Sequence, residues 1–204
     1  MIDLKEKTTM VDLKAKPFYL TDEDIQWVEE TIGGMTIEEK IGQLFVNMGA
    51  SRDEEYLKGM LNNYHIGAVR YNPATAEQVY DQNKILQENS KIPLLIAANT
   101  ECGGHGACVD GTYVGSQVKI GATNDPKYAY EMGRISGVEA AAIGCNWSFA
   151  PVVDIDMNWR NPVISTRCYS NKAEQVLEYS LEYMRGIMES GIAPAAKHFP
   201  GDGV

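Results

Sequence analysis

The chain has 204 residues, of which 44% are hydrophobic and 23% are charged, and this composition is ordinary for a globular domain with a sizeable core. The formal net charge of −10 argues against nucleic acid or an anionic membrane surface as a partner. No apolar run approaches the roughly 20 residues of a membrane-spanning helix. Residues 1–16 are charged and lack the apolar core of a signal peptide, which favours the cytoplasm unless a signal has been removed.

Four cysteines and three histidines are present, and no two cysteines form a CxxC pair. This pattern argues against a structural zinc site and favours reduced, partly buried thiols. A structural metal site is therefore not expected.

The amino-terminal part has two helix-start signals. Residues 1–20 show little periodicity and are predicted to form an arm ahead of a domain that spans residues 21–204. Thr21, followed by acidic residues, predicts the N-cap of a helix that ends at the glycines 33–34. Thr36, followed three positions later by Glu39, has the pattern of a capping box and predicts a second, shorter helix.

From residue 44 onward, short apolar runs alternate with helical patterns. The predicted strands cover residues 44–48, 66–71, 92–99, 147–155 and 191–199, and the predicted helices cover residues 52–63, 74–90 (with a proline near its first position), 124–143 and 172–190. Continuous apolar strands that alternate with helices indicate βα units and a buried parallel sheet. Two architectures remain open, because about five strands suit either an open five-stranded sheet or a (β/α)₈ barrel without its last third.

Polar residues cluster where the third and fourth predicted strands end. Asn99, Thr100 and Glu101 open a glycine-rich loop that could let a ligand approach the backbone, although such loops are more often flexible turns. At the end of the fourth strand come Asp154 and Asp156, followed by Arg160 and then the arginine at position 167. These acids could equally cap a loop, whereas the planar guanidinium of that arginine suits bidentate hydrogen bonding to a carboxylate or a diol.

Lys197 and His198 end the fifth predicted strand and are the most informative pair. A lysine in an apolar strand is costly unless it is paired or lines a polar cavity. Adjacent strand residues face opposite ways, so a regular strand would not direct both side chains at one ligand. The Phe199–Pro200 bond that follows could alter the backbone here.

Aromatic residues near these strands could stack on a sugar ring, although each alone is more often part of the core: Trp147, Phe149, Trp159 and Phe199.

Four segments resemble, in the same order, the amino-terminal barrel domain of glycoside hydrolase family 3, which includes bacterial β-N-acetylglucosaminidases and β-glucosidases. They cover residues 35–44, 92–104, 147–154 (WSFAPVVD) and 197–203 (KHFPGDG), and the last two are specific in sequence and spacing. The resemblance extends over about residues 20–204. It implies an α/β fold that is a partial (β/α)₈ TIM barrel, with about five βα units, in a bacterial hydrolase of carbohydrate metabolism.

The resemblance also implies a retaining β-glycosidase that acts on β-linked glucosides or N-acetylglucosaminides and needs no metal or organic cofactor. In the family, three side chains bind hydroxyls of the sugar in the −1 subsite: the lysine and histidine of the KH motif and an arginine after the fourth strand. The corresponding positions here are Lys197, His198 and Arg167. An acid at the end of the third strand also holds the sugar, and its position here is Asn99, an amide that can hydrogen-bond a hydroxyl without a charge. Asp154 is a further candidate substrate-binding residue.

Three features depart from the family pattern or leave it open. Asp202 stands where many N-acetylglucosaminidases have histidine and several β-glucosidase-type members have aspartate, so the substrate stays open. Cys102 interrupts the usual Glu-Gly-Gly of the third loop. The family's nucleophile and acid/base are expected beyond Val204, so no catalytic residue is assigned, and this chain alone is predicted to be inactive.

Two other interpretations remain. A non-catalytic partial barrel could bind a sugar or another protein, and the amide at Asn99 would suit it. An unrelated five-stranded α/β binding protein would require both specific motifs to be coincidences. The expected partner is a carbohydrate, and the unpaired edge of a partial barrel predicts self-association.

Overall fold

The structure is a computed structural model, and it describes residues 11–204. Half of the predicted arm, residues 1–10, lies outside the described residues. Residues 11–20 form turns, with a backbone hydrogen bond of 3.0 Å from the Leu20 N–H to the Leu13 carbonyl.

Five short strands form one parallel sheet in the order β1-β2-β3-β4-β5. The strands are β1 (Val46–Gly49), β2 (Ala68–Tyr71), β3 (Leu95–Ala98), β4 (Trp147–Ser148) and β5 (Ala193–Pro194). A doubly wound sheet reverses its strand order at a switch point, whereas a barrel adds each strand beside the previous one. The sequential order therefore decides between the two predicted architectures in favour of the barrel type, and the barrel is not closed within residues 11–204.

Seven α-helices accompany these strands in residues 11–204. They are α1 (Asp22–Gly34), α2 (Ile37–Gly42), α3 (Glu54–Tyr64), α4 (Ala76–Asn89), α5 (Gln117–Gly121), α6 (Lys127–Ala142) and α7 (Ala173–Met188), with 3₁₀ turns at Gly104–Gly106 and Ser165–Arg167. The predicted capping boxes at Thr21 and Thr36 are confirmed. Helix α4 begins later than predicted, because the Thr75 side chain accepts the Gln78 N–H and closes a capping box there.

The fourth and fifth strands are much shorter than predicted. The β4–β5 ladder stops before Pro151, which has no N–H to donate. The two segments stay side by side beyond Pro151. The Val153 N–H donates to the Lys197 carbonyl at 2.6 Å, and the Lys197 N–H donates to the Pro151 carbonyl at 3.1 Å. This pairing brings the segments that follow β4 and β5 together.

Helices α6 and α7 pack closely because glycines stand where their backbones meet. A Cβ added at Gly133 would collide with the Tyr183 carbonyl, and one added at Gly186 would collide with the Tyr130 carbonyl. The contact buries Tyr183 and Ile187 of α7. It fixes α7 behind the site described below.

The cysteines are free thiols, as predicted, and three of the four are buried. Within residues 11–204, no cluster of three or more histidine, cysteine, aspartate or glutamate side chains has the arrangement of a metal site. In the same part of the chain, none of the helices has both the length and the apolar character required to cross a membrane.

Candidate functional site

The predicted sugar-binding residues follow three neighbouring strands at the carboxyl edge of the sheet. Asn99 comes directly after β3, Asp154 and Arg167 follow β4, and Lys197 and His198 follow β5. Parallel α/β folds place their ligand sites at this edge. The side chains form two linked clusters, one around Glu101 and one around Asp154.

Glu101 holds the first cluster together, and the sequence analysis did not select it as a site residue. Its Oε2 accepts from Arg167 Nε at 2.9 Å, and its Oε1 accepts from Arg167 Nη2 at 2.8 Å and from Lys197 Nζ at 2.5 Å. Lys197 Nζ also approaches Asn99 Oδ1 at 3.4 Å. One signal was available, because Glu101 stands two positions after Asn99 at the end of a strand, where alternate residues share a face.

The charges of this cluster stabilise one another. Burial opposes ionisation of Glu101, but hydrogen bonds from Arg167 and Lys197, together with their positive charges, outweigh it and hold the pKa of Glu101 below its ordinary value. The hydrogen bond to Glu101 raises the pKa of Arg167 in return. Both shifts favour the ionised forms of Glu101 and Arg167.

Thr100, between Asn99 and Glu101, anchors the loop to the core. It is buried, and its carbonyl accepts from Tyr183 Oη at 2.8 Å and from Ser136 Oγ at 3.3 Å. Its hydroxyl lies 2.7 Å from the hydroxyl of Ser148. Because Thr100 is held from behind by α6, α7 and β4, the residues on either side of it are held at the edge of the sheet.

Asp154 is the centre of the second cluster. Its side chain is 0% exposed, and Oδ2 lies 2.6 Å from His198 Nδ1 and accepts the His198 backbone N–H at 3.2 Å. Its other oxygen, Oδ1, accepts the Asp202 backbone N–H at 2.7 Å. This carboxylate is therefore satisfied within the protein.

Asn161 holds the same loop from the other side. Its Nδ2 donates to the Asp202 carbonyl at 2.7 Å and to the Val204 carbonyl at 3.0 Å. Its Oδ1 accepts the N–H groups of Val163 and Ile164, which fixes the asparagine in its own loop. The sequence analysis did not select Asn161, because the two carbonyl groups that it binds in this loop lie 41 and 43 positions away.

Lys197 and His198 reach the two clusters from adjacent positions. They lie beyond the β5 ladder, and the bond between them and the Phe199–Pro200 bond are both cis. Lys197 contacts Glu101, and His198 contacts Asp154. The expectation drawn from a regular strand does not apply, because these residues are not part of one.

The aromatic residues divide into two pairs. Trp147 and Phe149 pack edge to face, with ring centroids 4.6 Å apart. Trp159 is 79% exposed and Phe199 is 82% exposed, so neither belongs to the core, and for these two the core expectation is wrong. Arg160 lies over the Trp159 ring at 4.9 Å, and in the described part of the chain its side chain has no hydrogen bond or ion pair with either cluster.

The chemistry of the site suits a polyhydroxylated ligand. Lysine and arginine offer charged donors, while the amide oxygen of Asn99 and the carboxylate of Glu101 accept. The Nδ1 atom of His198 is engaged by Asp154, which leaves Nε2 for a ligand. Charged hydrogen bonds of this kind are stronger than neutral ones and are directional.

Comparisons of the sequence with known proteins give consistent matches. The profile described as the Glycosyl hydrolase family 3 N terminal domain matches residues 36–204. A protein named beta-N-acetylglucosaminidase/beta-glucosidase from Cellulomonas fimi is 41% identical over 195 residues, which cover 96% of this chain and 35% of that protein.

Solved structures give the same picture. A beta-glucoside phosphorylase, BglX, bound to 2FGlc superposes with a TM-score of 0.88 and 38% identity, covering 94% of this chain and 35% of that one. A beta-N-acetylglucosaminidase from Paenibacillus sp. str. FPU-7 superposes with a TM-score of 0.75 and 33% identity, covering 83% of this chain and 34% of that one. The chain thus spans about a third of the length of these relatives.

Proposed function

The chain belongs to glycosyl hydrolase family 3, and on that premise we propose that it supplies part of the −1 sugar subsite of a retaining β-glycosidase. The proposed substrates of the whole protein are β-linked glucosides or N-acetylglucosaminides, in keeping with the name of the Cellulomonas fimi relative. The proposed sugar-binding residues are Asn99, Arg167, Lys197 and His198. No residue of this chain is proposed as the nucleophile or the acid/base.

The observation that carries the proposal is the convergence of three loops on one polar edge. Asn99, Arg167 and Lys197 come from the loops after β3, β4 and β5, and the carboxylate of Glu101 joins them. A sugar ring presents several hydroxyls in different directions, and donors and acceptors held on three loops can meet them together.

The test is hydrolysis of aryl β-glucosides and aryl β-N-acetylglucosaminides by the purified whole protein. Lys197→Ala and Arg167→Ala should each lower kcat/KM by about 100-fold or more, since each removes a charged hydrogen bond to the sugar. Lys127→Ala and Arg134→Ala, on the surface of α6, are the matched controls and should leave kcat/KM unchanged. If both site variants kept full activity, the proposed subsite would be contradicted.

A second candidate function is phosphorolysis of β-glucosides, in which phosphate rather than water accepts the glycosyl group. It is favoured by the similarity to the beta-glucoside phosphorylase, which covers 94% of this chain with a TM-score of 0.88. Reactions run with and without orthophosphate separate the two. A rate that rises with phosphate and yields a sugar 1-phosphate supports phosphorolysis, whereas free sugar at a rate independent of phosphate supports hydrolysis.

A non-catalytic role in binding sugar or another protein remains the alternative, favoured by an amide rather than an acid at Asn99. Calorimetry with glucose and N-acetylglucosamine tests its sugar-binding form. Binding without turnover would support a binding module, and the absence of heat with both sugars would exclude the sugar-binding form.

A further inference from the structure

We propose that Asp154 is a positioning residue rather than a sugar ligand: its buried carboxylate orients the His198 ring and holds the turn that follows it. The functional meaning of this proposal rests on the proposed sugar subsite. Its structural content, the orientation of one imidazole and one backbone segment, can be tested without any sugar.

Burial separates Asp154 from the other site residues. Its side chain is 0% exposed, whereas those of Arg167, Lys197 and His198 are all partly exposed. A sugar could reach this carboxylate only if His198 and the backbone of Asp202 moved away. The groups already bound to Asp154 therefore occupy the places that sugar hydroxyls would need.

The hydrogen bonds match the chemistry of a carboxylate and of no other side chain of this size. Two donors of His198, the ring Nδ1 and the backbone N–H, converge on Oδ2, and the backbone N–H of Asp202 meets Oδ1. An ionised carboxylate accepts through both oxygens, whereas an amide accepts through one and donates through the other. Asparagine at position 154 could accept from the N–H groups of either His198 or Asp202 through its single oxygen. Its NH₂ group would then face the backbone N–H of the residue that the oxygen does not bind.

This arrangement selects one tautomer of His198. A carboxylate that only accepts requires the proton on Nδ1, so Nε2 is left as the ring atom that faces a ligand, as an acceptor in the neutral ring. The same contacts fix the backbone next to Lys197, whose Nζ belongs to the Glu101 cluster. Asp154 thereby sets the positions of two proposed sugar-binding groups without touching the sugar.

The experiment compares Asp154→Asn with Asp156→Asn in the whole protein labelled with ¹⁵N-histidine. Asp156 is the matched control, because it is an acid two positions further along the same segment and, within residues 11–204, His198 Nδ1 pairs with Asp154 and not with Asp156. Long-range ¹H–¹⁵N spectra report which ring nitrogen of His198 carries the proton, with His198→Gln to assign the signal. Amide hydrogen exchange reports whether the Asp202 N–H is still protected.

We expect the native protein to show a proton on Nδ1 of His198. In Asp154→Asn, either that tautomer is lost or exchange at the Asp202 amide becomes at least tenfold faster, while Asp156→Asn changes neither. An Nε2–H tautomer in the native protein overturns the proposal, and this result needs no folded variant. Unchanged tautomer and exchange in Asp154→Asn also overturn it.

Kinetics link the geometry to function. Asp154→Asn should lower kcat/KM by about 100-fold, because small displacements of positioned groups have effects of that size. A side chain that only contacts sugar would raise KM and leave the tautomer of the sugar-free protein unchanged. If the native protein has no glycosidase or phosphorylase activity, the proposed function fails, and the spectra still decide the role of Asp154.

Discussion

Arg167 and Glu101 form a bidentate ion pair, with Nε to Oε2 at 2.9 Å and Nη2 to Oε1 at 2.8 Å, that joins the loop after β4 to the loop after β3. Lys197 adds the loop after β5 to the same carboxylate. One glutamate therefore connects three segments that are distant in the sequence. The planar fork of arginine suits this geometry, and a lysine could not reproduce it.

The first prediction concerns the charge of Glu101. Glu101→Gln keeps the shape of the side chain but replaces an acceptor oxygen by an NH₂ group that faces a cation. We expect kcat/KM of the whole protein to fall by about 10- to 100-fold, which corresponds to a lost charged hydrogen bond. Glu131→Gln, which removes the exposed partner of Arg134, is the control and should retain full activity. Full activity in Glu101→Gln would contradict a central role for this carboxylate.

The second prediction concerns the pH dependence of stability. The pKa of Glu101 is lower in the folded protein than its ordinary value of 4.5, so the folded state binds fewer protons at this site. Its ionised form therefore contributes stability that is fully present above that value and is lost as pH falls through the lower, folded pKa. Urea unfolding at a series of pH values should show the stability difference between native protein and Glu101→Gln shrinking on acidification. A stability difference that increased on acidification would contradict the lowered pKa of Glu101 in the folded protein.

The third prediction concerns the anchor behind the site. Burial raises the pKa of Tyr183 to about 12, so its hydroxyl stays neutral and donates to the Thr100 carbonyl. Tyr183→Phe removes this donor and should lower the free energy of unfolding by about 1–2 kcal/mol. Tyr130→Phe, which loses an exposed hydrogen bond to Glu189, should change it by less than about 0.5 kcal/mol. Equal effects would contradict the importance of the buried contact.

The fourth prediction concerns the contact between α6 and α7. Gly186→Ala places a methyl group against the Tyr130 carbonyl and should destabilise the fold by about 1–3 kcal/mol. Gly59→Ala is the matched control in α3, where the nearest atom to the added methyl would be 3.9 Å away. It should stabilise the protein by up to about 1 kcal/mol, because alanine favours a helix over glycine. Chemical unfolding of both variants measures the contrast.

The fifth prediction concerns the open edge of the sheet at β1. Within residues 11–204, β1 pairs with β2 alone, and the neighbouring Leu44 is 83% exposed, with Phe45 exposed beside it. We expect the 204-residue chain by itself to self-associate there, since unpaired strand edges beside apolar side chains promote pairing. Leu44→Lys with Phe45→Lys should shift sedimentation toward the monomer, and Val138→Lys on α6 should not. A native chain that sediments only as a monomer would contradict the prediction.

Local signals in the sequence predicted the local structure well. Thr21 and Thr36 cap helices as expected, because each capping partner lies three positions away. The same pattern at Thr75 was available and was overlooked in favour of a nearby proline. Helix α5 was missed because five residues are too few to show a helical period.

The site was predictable only in part. The residues selected from the strand ends do converge, because the carboxyl ends of parallel strands meet at one edge. The role of Glu101 depends on Arg167, 66 positions away, and no local pattern encodes that contact. The strand predictions over residues 147–155 and 191–199 were too long because they ran through Pro151 and Pro194, although a proline has no N–H to donate to the ladder.

The way in which the loop after β5 is held has a consequence for how the site can diversify. Asp154 and Asn161 bind the N–H and the carbonyl of Asp202, both of which are backbone groups that any residue except proline supplies. The exposed side chain at this position is not needed for these contacts. A substitution of residue 202 by any residue except proline therefore leaves both contacts in place, so the side chain here can vary over evolutionary time while the framework of the loop is conserved.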